Sequence, residues 1–153
     1  MDTVTHALAP VILTRLLAGS LWPRWRGLVA IGMAGALPDL INPHLSLEAR
    51  MTSWSHGLPF WLLFSASLFV ASILSKKRLP LAIAALCSAA YLFHLFCDAI
   101  SGGVNWLYPL KDLVWGDYWV DPMFWVPLDV ICILACYFLF RNLPRLPKRT
   151  ETL

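Results

Sequence analysis

The chain has 153 residues, of which 59% are hydrophobic and only 14% are charged, with a net charge of +3. A soluble domain usually carries about 25% charged residues, so the composition excludes an ordinary soluble protein and indicates one integral membrane domain. The basic residues form short clusters between apolar runs instead of one long basic surface. This arrangement argues against a nucleic-acid partner and makes the lipid bilayer the expected one.

Apolar segments follow one another along the chain and predict an all-α, polytopic helical membrane protein with about five membrane segments. They are residues 5–22, 27–42, 58–75, 79–100 and 123–140. The third and fourth segments come close to the ~20 residues that a helix needs to cross about 30 Å of hydrocarbon, whereas the first two are shorter or interrupted. We take residues 1–142 as a single domain and 143–153 as a basic cytoplasmic tail.

Nine of the twelve basic residues lie in clusters at alternate ends of these segments. They are Arg24, Arg26, Lys76, Lys77, Arg78, Arg141, Arg145, Lys148 and Arg149. Because loops rich in Lys and Arg stay on the cytoplasmic side, we expect the N-terminus outside and the C-terminus in the cytoplasm. The same orientation brings all four histidines and several aspartates to the extracytoplasmic end, which favours a shared site.

The fourth segment carries His94 and Asp98 near its end. Side chains four residues apart lie on one face of a helix. An ionisable group within a membrane helix is costly unless it is paired or bound, so the pair is a functional-site candidate. A hydrogen-bonded pair that merely joins helices is the structural alternative.

Further candidates are predicted to reach the same end: His6 in the first segment, Asp39 in the second, and His56 before the third. Imidazole and carboxylate donors suit zinc, and also manganese or ferrous iron. We therefore predict a divalent-metal site with His6, Asp39, His56, His94 and Asp98 as ligands, in which Asp39 or Asp98 acts as a catalytic base. A metal in this site would lower the pKa of water and favour hydrolysis.

Several of these residues have structural alternatives. His6 could be an interfacial residue exposed to water, and Asp39 could simply end a helix. Ser55 beside His56 is a poor nucleophile–base pair, because adjacent residues rarely present their side chains to each other. His44 lies in a polar connection and is the weakest candidate.

Other polar or reactive residues lie inside the apolar segments. Asp129 is predicted to be a helix-packing polar group of the last segment. The four cysteines are predicted to be small buried hydrophobes, because they show neither CxxC spacing nor a loop location. They are Cys87, Cys97, Cys132 and Cys136.

The loop of residues 101–122 is rich in aromatic and acidic side chains. They are Trp106, Tyr108, Trp115, Tyr118 and Trp119, with Asp112, Asp117 and Asp121. An aromatic belt at the outer membrane interface accounts for them. A lid that admits an amphiphile from the outer leaflet is the functional alternative, and one loop can serve both purposes.

Six short motifs occur along the chain in order. They are MDTVTHAL at 1–8, GALPD at 35–39, SWSH at 53–56, HLFCD at 94–98, GGVNWLYPL at 102–110 and WVDPMF at 119–124. With these motifs the chain resembles the YdjM-like family of bacterial inner-membrane metal-dependent hydrolases. The resemblance extends from residue 1 to about residue 128.

The resemblance implies a polytopic protein of the bacterial inner membrane, distantly similar to zinc-dependent phospholipase C and P1 nuclease, and hence a phosphoester hydrolase. Two positions depart from the family pattern: Ile41 stands where many members have aspartate, and Met51 where many have histidine. If those residues are ligands elsewhere, the site here is smaller or uses His44 or Glu48. A single-metal site, or a lapsed enzyme, then becomes more plausible.

The sequence therefore predicts a membrane-bound metal-dependent hydrolase that acts on a phosphoester of a lipid or lipid-linked substrate at the extracytoplasmic face. The non-enzymatic alternative is a metal-binding or carrier protein, or a helix bundle that binds a partner through its Gly-rich second segment. A carrier would need polar groups that continue toward the cytoplasmic end, where the sequence offers only Arg15 and Asp129.

Overall fold

A computed structural model describes residues 2–17, 25–43, 46–75 and 78–141 of the chain. The elements are α1 (Thr3–Leu17), α2 (Trp25–Ile41), α3 (Leu47–Met51), a 3₁₀ turn (Trp54–His56), α4 (Leu58–Leu74), α5 (Leu81–Ala99), β1 (Val104–Asn105), β2 (Val114–Trp115), a second 3₁₀ turn (Pro122–Phe124) and α6 (Trp125–Phe140). Each of the apolar segments thus contains one long helix. The basic tail of 143–153 lies outside the described residues.

Helix ends follow from local sequence. Pro38 lacks an N–H group, and α2 ends three residues after it, as its position in the sequence predicts. The N-cap of α3 is Ser46, whose hydroxyl accepts a hydrogen bond from the Ala49 N–H at 3.2 Å. Helix α4 starts after Gly57, with Pro59 in its first turn, where a missing N–H costs nothing. The end of α2 and the start of α4 set the limits of the polar connection between these two helices.

Two helical stretches among the described residues, Leu81–Ala99 and Pro122–Phe140, are long and apolar enough to cross a bilayer. Helices α1 and α4 are apolar but shorter. Large apolar side chains remain exposed along α4 and α6, such as Ile73, Val126 and Ile131. An apolar exterior of this extent suits contact with lipid.

Several small side chains lie in the buried core between α2 and α5. Ile31 and Ala34 of α2 pack against Cys87 and Ala90 of α5 and form the buried apolar core. The four cysteines are free, which agrees with their interpretation as small hydrophobes. Helices α4 and α5 are joined by a hydrogen bond of 2.6 Å between the hydroxyls of Ser65 and Ser88. Small residues therefore let the helices approach closely.

Asp129 ties α6 to the start of α1. Its Oδ1 atom accepts hydrogen bonds from the Thr5 N–H, at 2.9 Å, and from the Thr5 hydroxyl. The N–H groups of the first helical turn have no partner within their own helix, so a carboxylate there satisfies a buried donor. The interpretation of Asp129 as a helix-packing group agrees with these contacts.

Residues 101–122, predicted as a loop, contain a small hairpin, while the rest of the described chain is mostly helical, as predicted. Strands β1 and β2 pair in antiparallel fashion, with Val104 opposite Trp115. Two-residue strands are too short to produce an alternating sequence pattern, so the sequence does not reveal them. The hairpin also caps α5, because the N–H groups of Asp117 and Val120 donate to the carbonyls of Ala99 and Ile100.

Candidate metal centre

The residues predicted as metal ligands lie at one end of the helical bundle. His6 lies in the first turns of α1, Asp39 in the last turn of α2, and His94 and Asp98 in the last turns of α5. His56 ends the 3₁₀ turn that precedes α4. Because consecutive helices alternate in direction, these separated positions meet.

Four of these side chains place one donor atom each within 4.8 Å of all the others: Asp39, His56, His94 and Asp98. His56 Nε2 lies 3.2 Å from both His94 Nε2 and Asp39 Oδ1, and 3.5 Å from Asp98 Oδ2. His94 Nε2 lies 3.2 Å from Asp98 Oδ2 and 3.6 Å from Asp39 Oδ1. The cluster thus combines two imidazole nitrogens with two carboxylate oxygens.

In Asp39, His56 and His94, the polar atom that does not face the cluster contacts another group of the protein. Asp39 Oδ2 accepts a hydrogen bond of 2.7 Å from the Thr3 hydroxyl, and His94 Nδ1 donates to the Gly35 carbonyl at 2.7 Å. His56 Nδ1 lies 2.9 Å from the Ser53 hydroxyl. Outer contacts of this kind orient the ligands in metal sites.

The Gly35 contact fixes the tautomer of His94. A carbonyl oxygen can only accept, so Nδ1 must carry the proton, and in the neutral ring Nε2 then holds a lone pair. That lone pair faces the other three donor atoms. In its neutral form, His94 could therefore offer Nε2 to a metal ion.

The two carboxylate oxygens of Asp98 have different partners. Its Oδ2 atom faces His56 and His94, whereas its Oδ1 atom lies 2.8 Å from Arg50 Nη1. His6 Nε2 also lies 3.2 Å from Oδ1. Both side chains of the Arg50–Asp98 pair are at most 2% exposed, so the pair is fully buried.

His6 lies beside the four-atom cluster. Its ring stacks on that of His94, with 3.9 Å between the ring centroids. Within the described residues neither ring nitrogen of His6 makes a hydrogen bond of good geometry, although Nε2 is close to Asp98 Oδ1. A buried imidazole with such contacts has capacity left for another partner, and the role of His6 as a metal ligand stays a prediction.

Burial favours the form of His56 that can bind a metal. It lowers the pKa of His56 because a charged imidazolium is disfavoured away from water, and the hydrogen bond to Asp39 offsets part of this effect. The neutral ring is the metal-binding form.

The cluster is enclosed except at Asp39. The side chain of Asp39 is 15% exposed, whereas those of His56, His94 and Asp98 are at most 2% exposed. Asp39 is therefore the member of the cluster with most contact with the surroundings.

The donor set fits a tetrahedral divalent ion. Bonds of about 2.0–2.2 Å in a tetrahedral zinc site keep the ligand atoms about 3.3–3.6 Å apart. The distances that involve His56 Nε2 or His94 Nε2 are 3.2–3.6 Å, and all four donor atoms lie within 4.8 Å of one another. The Asp39–His56–His94–Asp98 cluster could therefore hold a metal ion, and its donor atoms do not identify which one.

The structure describes only some of the other sequence candidates. His44 lies outside the described residues, and the side chain of Glu48 does too. The Ser55 hydroxyl lies 3.1 Å from His56 Nδ1, so these adjacent side chains do meet, contrary to the expectation from sequence. Its single proton is donated to the Pro38 carbonyl at 2.9 Å, however, so the hydroxyl is not arranged to give that proton to His56. Ile41 is partly exposed at the end of α2, and the four donors assemble without it.

Sequence reasoning missed Arg50 and the outer contacts. No role is predicted for Arg50 from the sequence, yet its side chain is among the most buried of the described chain. The signal available was its position in the turn next to the Ser53–His56 motif. Thr3 and Gly35 lie within motifs that the sequence analysis identified, but hydrogen bonds to a backbone carbonyl or a threonine leave no spacing pattern.

Comparison with known proteins settles the family. The family model described as YdjM inner membrane protein matches residues 1–147. The chain belongs to this family. It is accordingly a protein of the bacterial inner membrane, as the sequence motifs predict. No curated protein and no solved structure matches it. The YdjM family assignment places the chain in the membrane but states no reaction.

Proposed function

We propose that this YdjM-family protein is a multi-pass, metal-dependent phosphoester hydrolase that crosses the inner membrane five times. The observation that carries the proposal is the cluster of Asp39, His56, His94 and Asp98, whose donor atoms lie within 4.8 Å of one another and whose other polar atoms are held in place. Zinc is the preferred metal, with manganese or iron as alternatives, because the donors are imidazole and carboxylate.

In this proposal, three side chains of the cluster bind the metal and the fourth acts as the general base. His56, His94 and Asp98 are buried and supply three ligands, the number typical of a catalytic zinc site. Asp39, whose side chain is 15% exposed, is the least buried member, and we assign it the role of accepting a proton from an incoming water. His6 is the remaining predicted ligand, and His6→Ala tests its role.

A divalent metal in this site supplies a Lewis acid that lowers the pKa of water and polarises a phosphoryl oxygen. Asp39 takes the proton of the water whose oxygen attacks phosphorus. The bond from phosphorus to the alcohol oxygen then breaks, and the alcohol leaves with the proton that Asp39 took from the water. The resemblance to zinc-dependent phospholipase C and P1 nuclease supports phosphorus as the centre attacked.

A lipid or lipid-linked substrate fits the surroundings of the site. The open side of Asp39 lies at the end of apolar helices, so a head group could enter while its acyl chains stay in the bilayer. The exposed rings of Trp115 and Trp119 at the same end suit the membrane interface. The substrate class proposed is thus an amphiphilic phosphoester.

A non-enzymatic metal-binding protein is the second candidate. Four protein donors complete a tetrahedron, and closed four-ligand sites are usually structural, whereas catalytic sites keep one position open. In this case Asp39 is the fourth ligand and no hydrolysis follows.

Asp39→Asn separates the two candidates. For the hydrolase we expect metal-dependent release of phosphate from a panel of lipid phosphoesters, reduced about 100-fold or more in the variant while one equivalent of metal is retained, because general base catalysis contributes 10²–10⁴-fold. For the metal-binding protein no phosphate is released, and the variant loses affinity for the metal. Purified wild-type protein that binds no transition metal would contradict both.

Topology is tested with reporter fusions. The proposed orientation places residues after Leu153 in the cytoplasm and the loop near Gly103 outside, since the basic clusters flank the cytoplasmic ends. We expect a fusion after Leu153 to be fluorescent with green fluorescent protein and a fusion near Gly103 to be active with alkaline phosphatase. The reverse pattern would move the site to the cytoplasmic face and change its substrates.

A further inference from the structure

Arg50 is a buried cation at the edge of the candidate metal centre. It lies on the short helix α3, and its side chain is 1% exposed. A buried charge is costly unless it is paired and hydrogen-bonded. A buried arginine side chain is therefore expected to have a specific partner of opposite charge.

That partner is Asp98. The guanidinium Nη1 atom lies 2.8 Å from Asp98 Oδ1, and Nη2 donates to the backbone carbonyls of Asp98 and Ser101 at 3.3 and 3.4 Å. These carbonyls belong to the C-terminal end of α5, where a positive charge is also favoured by the helix dipole. One side chain thus holds both the carboxylate and the backbone that carries it.

Space for the guanidinium is provided by Gly102. A Cβ atom at this position would lie 2.9 Å from Arg50 Nη2 and 3.2 Å from the ring of Tyr118, and the backbone has φ +131°. The neighbouring Gly103 also has positive φ, at +90°, but its Cβ would meet Met51 and not Arg50. Gly102 is therefore part of the Arg50 pocket, and Gly103 offers a matched control.

The position of Arg50 bears on how many metal ions the site accepts. A carboxylate that bridges two metal ions uses one oxygen for each, and such ions lie about 3.5–4 Å apart. Here Asp98 Oδ2 faces the cluster, whereas Oδ1, next to His6, is already bound by a guanidinium. A second divalent ion at Oδ1 would have to enter beside that positive charge.

We propose that Arg50 takes the place of a second metal ion, so that the centre holds a single divalent ion, and that Arg50 is the positioning residue that fixes Asp98 as its ligand. This inference rests on the metal site of the proposed function. It assigns no catalytic step to Arg50, because the guanidinium is enclosed and contacts Asp98 and backbone oxygens. Asp39 and Asp98 contribute two negative charges, whereas Arg50 and one divalent ion contribute three positive ones, so a second divalent ion would add two further uncompensated positive charges to the buried site.

Zinc stoichiometry tests the number of ions. Detergent-purified wild-type protein is stripped of metal and titrated with Zn²⁺, with bound metal measured by mass spectrometry after gel filtration. We expect one equivalent, lost in Asp98→Ala. Two equivalents that are both lost in Asp98→Ala would overturn the single-ion inference while leaving a metal site intact. Zero equivalents would overturn the proposed function itself.

Zinc affinity tests the positioning role. We expect Arg50→Gln to weaken Zn²⁺ binding about 10–100-fold, as loss of an outer contact typically does, and Arg50→Lys to recover part of the loss. Arg141→Gln, at an exposed arginine, is the control for the change in net charge. Unchanged affinity in folded Arg50→Gln protein would overturn the positioning role.

The glycine pair provides a second measurement if Arg50→Gln does not fold. Gly102→Ala displaces the guanidinium and is expected to weaken Zn²⁺ binding at least tenfold more than Gly103→Ala, although both substitutions strain a backbone with positive φ. Equal effects of the two substitutions would count against the Arg50 pocket. If neither variant folds, the number of Zn²⁺ ions bound by the wild-type protein is the test. Two bound ions would contradict the single-ion inference.

Discussion

Alanine in place of His94 is expected to lower the affinity of the purified protein for Zn²⁺ by more than about 100-fold. Loss of an outer contact typically costs 10–100-fold in metal affinity, and His94 Nε2 belongs to the donor set itself, 3.2 Å from His56 Nε2 and from Asp98 Oδ2. Competition with a zinc-binding dye in detergent measures the change. Hydrolysis of the lipid phosphoester panel is expected to fall with it.

Cys97→Ala is the matched control for His94→Ala, because it removes a buried side chain from the same helix outside the four-residue cluster. Circular dichroism and gel filtration of each variant report whether the bundle remains folded. His94→Gln, which keeps a polar group of similar size, separates loss of the ligand from loss of packing. A folded His94 variant with wild-type metal affinity would refute the proposed site.

Gly35→Ala is expected to destabilise the bundle strongly. A Cβ atom on Gly35 would lie 2.2 Å from the His6 carbonyl oxygen and 2.9 Å from Pro10 Cγ, so α1 and α2 would have to separate. Overpacking of an interior typically costs about 1–3 kcal/mol, and contact with a backbone atom leaves little freedom to relax. Unfolding with sodium dodecyl sulfate in mixed micelles measures the loss of stability.

The same substitution also reaches the metal centre. The carbonyl of Gly35 accepts the hydrogen bond from His94 Nδ1 at 2.7 Å, so a shift of α2 disturbs the orientation of that ring. We therefore expect Zn²⁺ affinity to fall together with stability. Gly32→Ala is the control on the same face, since its Cβ would come no closer than 3.1 Å to the Ala7 carbonyl. Equal stability of the two variants would contradict this account of the helix contact.

Much of the architecture was predictable from two simple patterns. Apolar runs predicted the long helices, and the alternating directions of those helices predicted that His6, Asp39, His56, His94 and Asp98 would lie at one end. The spacing of His94 and Asp98 on one helical face was equally direct. Hydrophobicity and periodicity carry this information because they reflect burial and helix geometry, which are local properties of the chain.

The details of the site were not predictable in the same way. Arg50 approaches Asp98 through a turn whose path depends on Ser46, Gly57 and the hairpin, so no spacing in the sequence indicates the pair. The two-residue strands lie below the length at which alternation can be detected. Asp39 is partly exposed, whereas Asp98 is enclosed. This difference depends on packing between helices that are distant in sequence.

The four donors come from segments that are far apart in the chain: His56 is 17 residues from Asp39 and 38 from His94. An ion bound among them would act as a cross-link that closes two loops, and it would bind the folded state far better than the unfolded one. Each tenfold rise in free metal above the dissociation constant then adds about 1.4 kcal/mol to the free energy of unfolding. The amount of folded protein in the membrane would then depend on the concentration of free metal in its compartment.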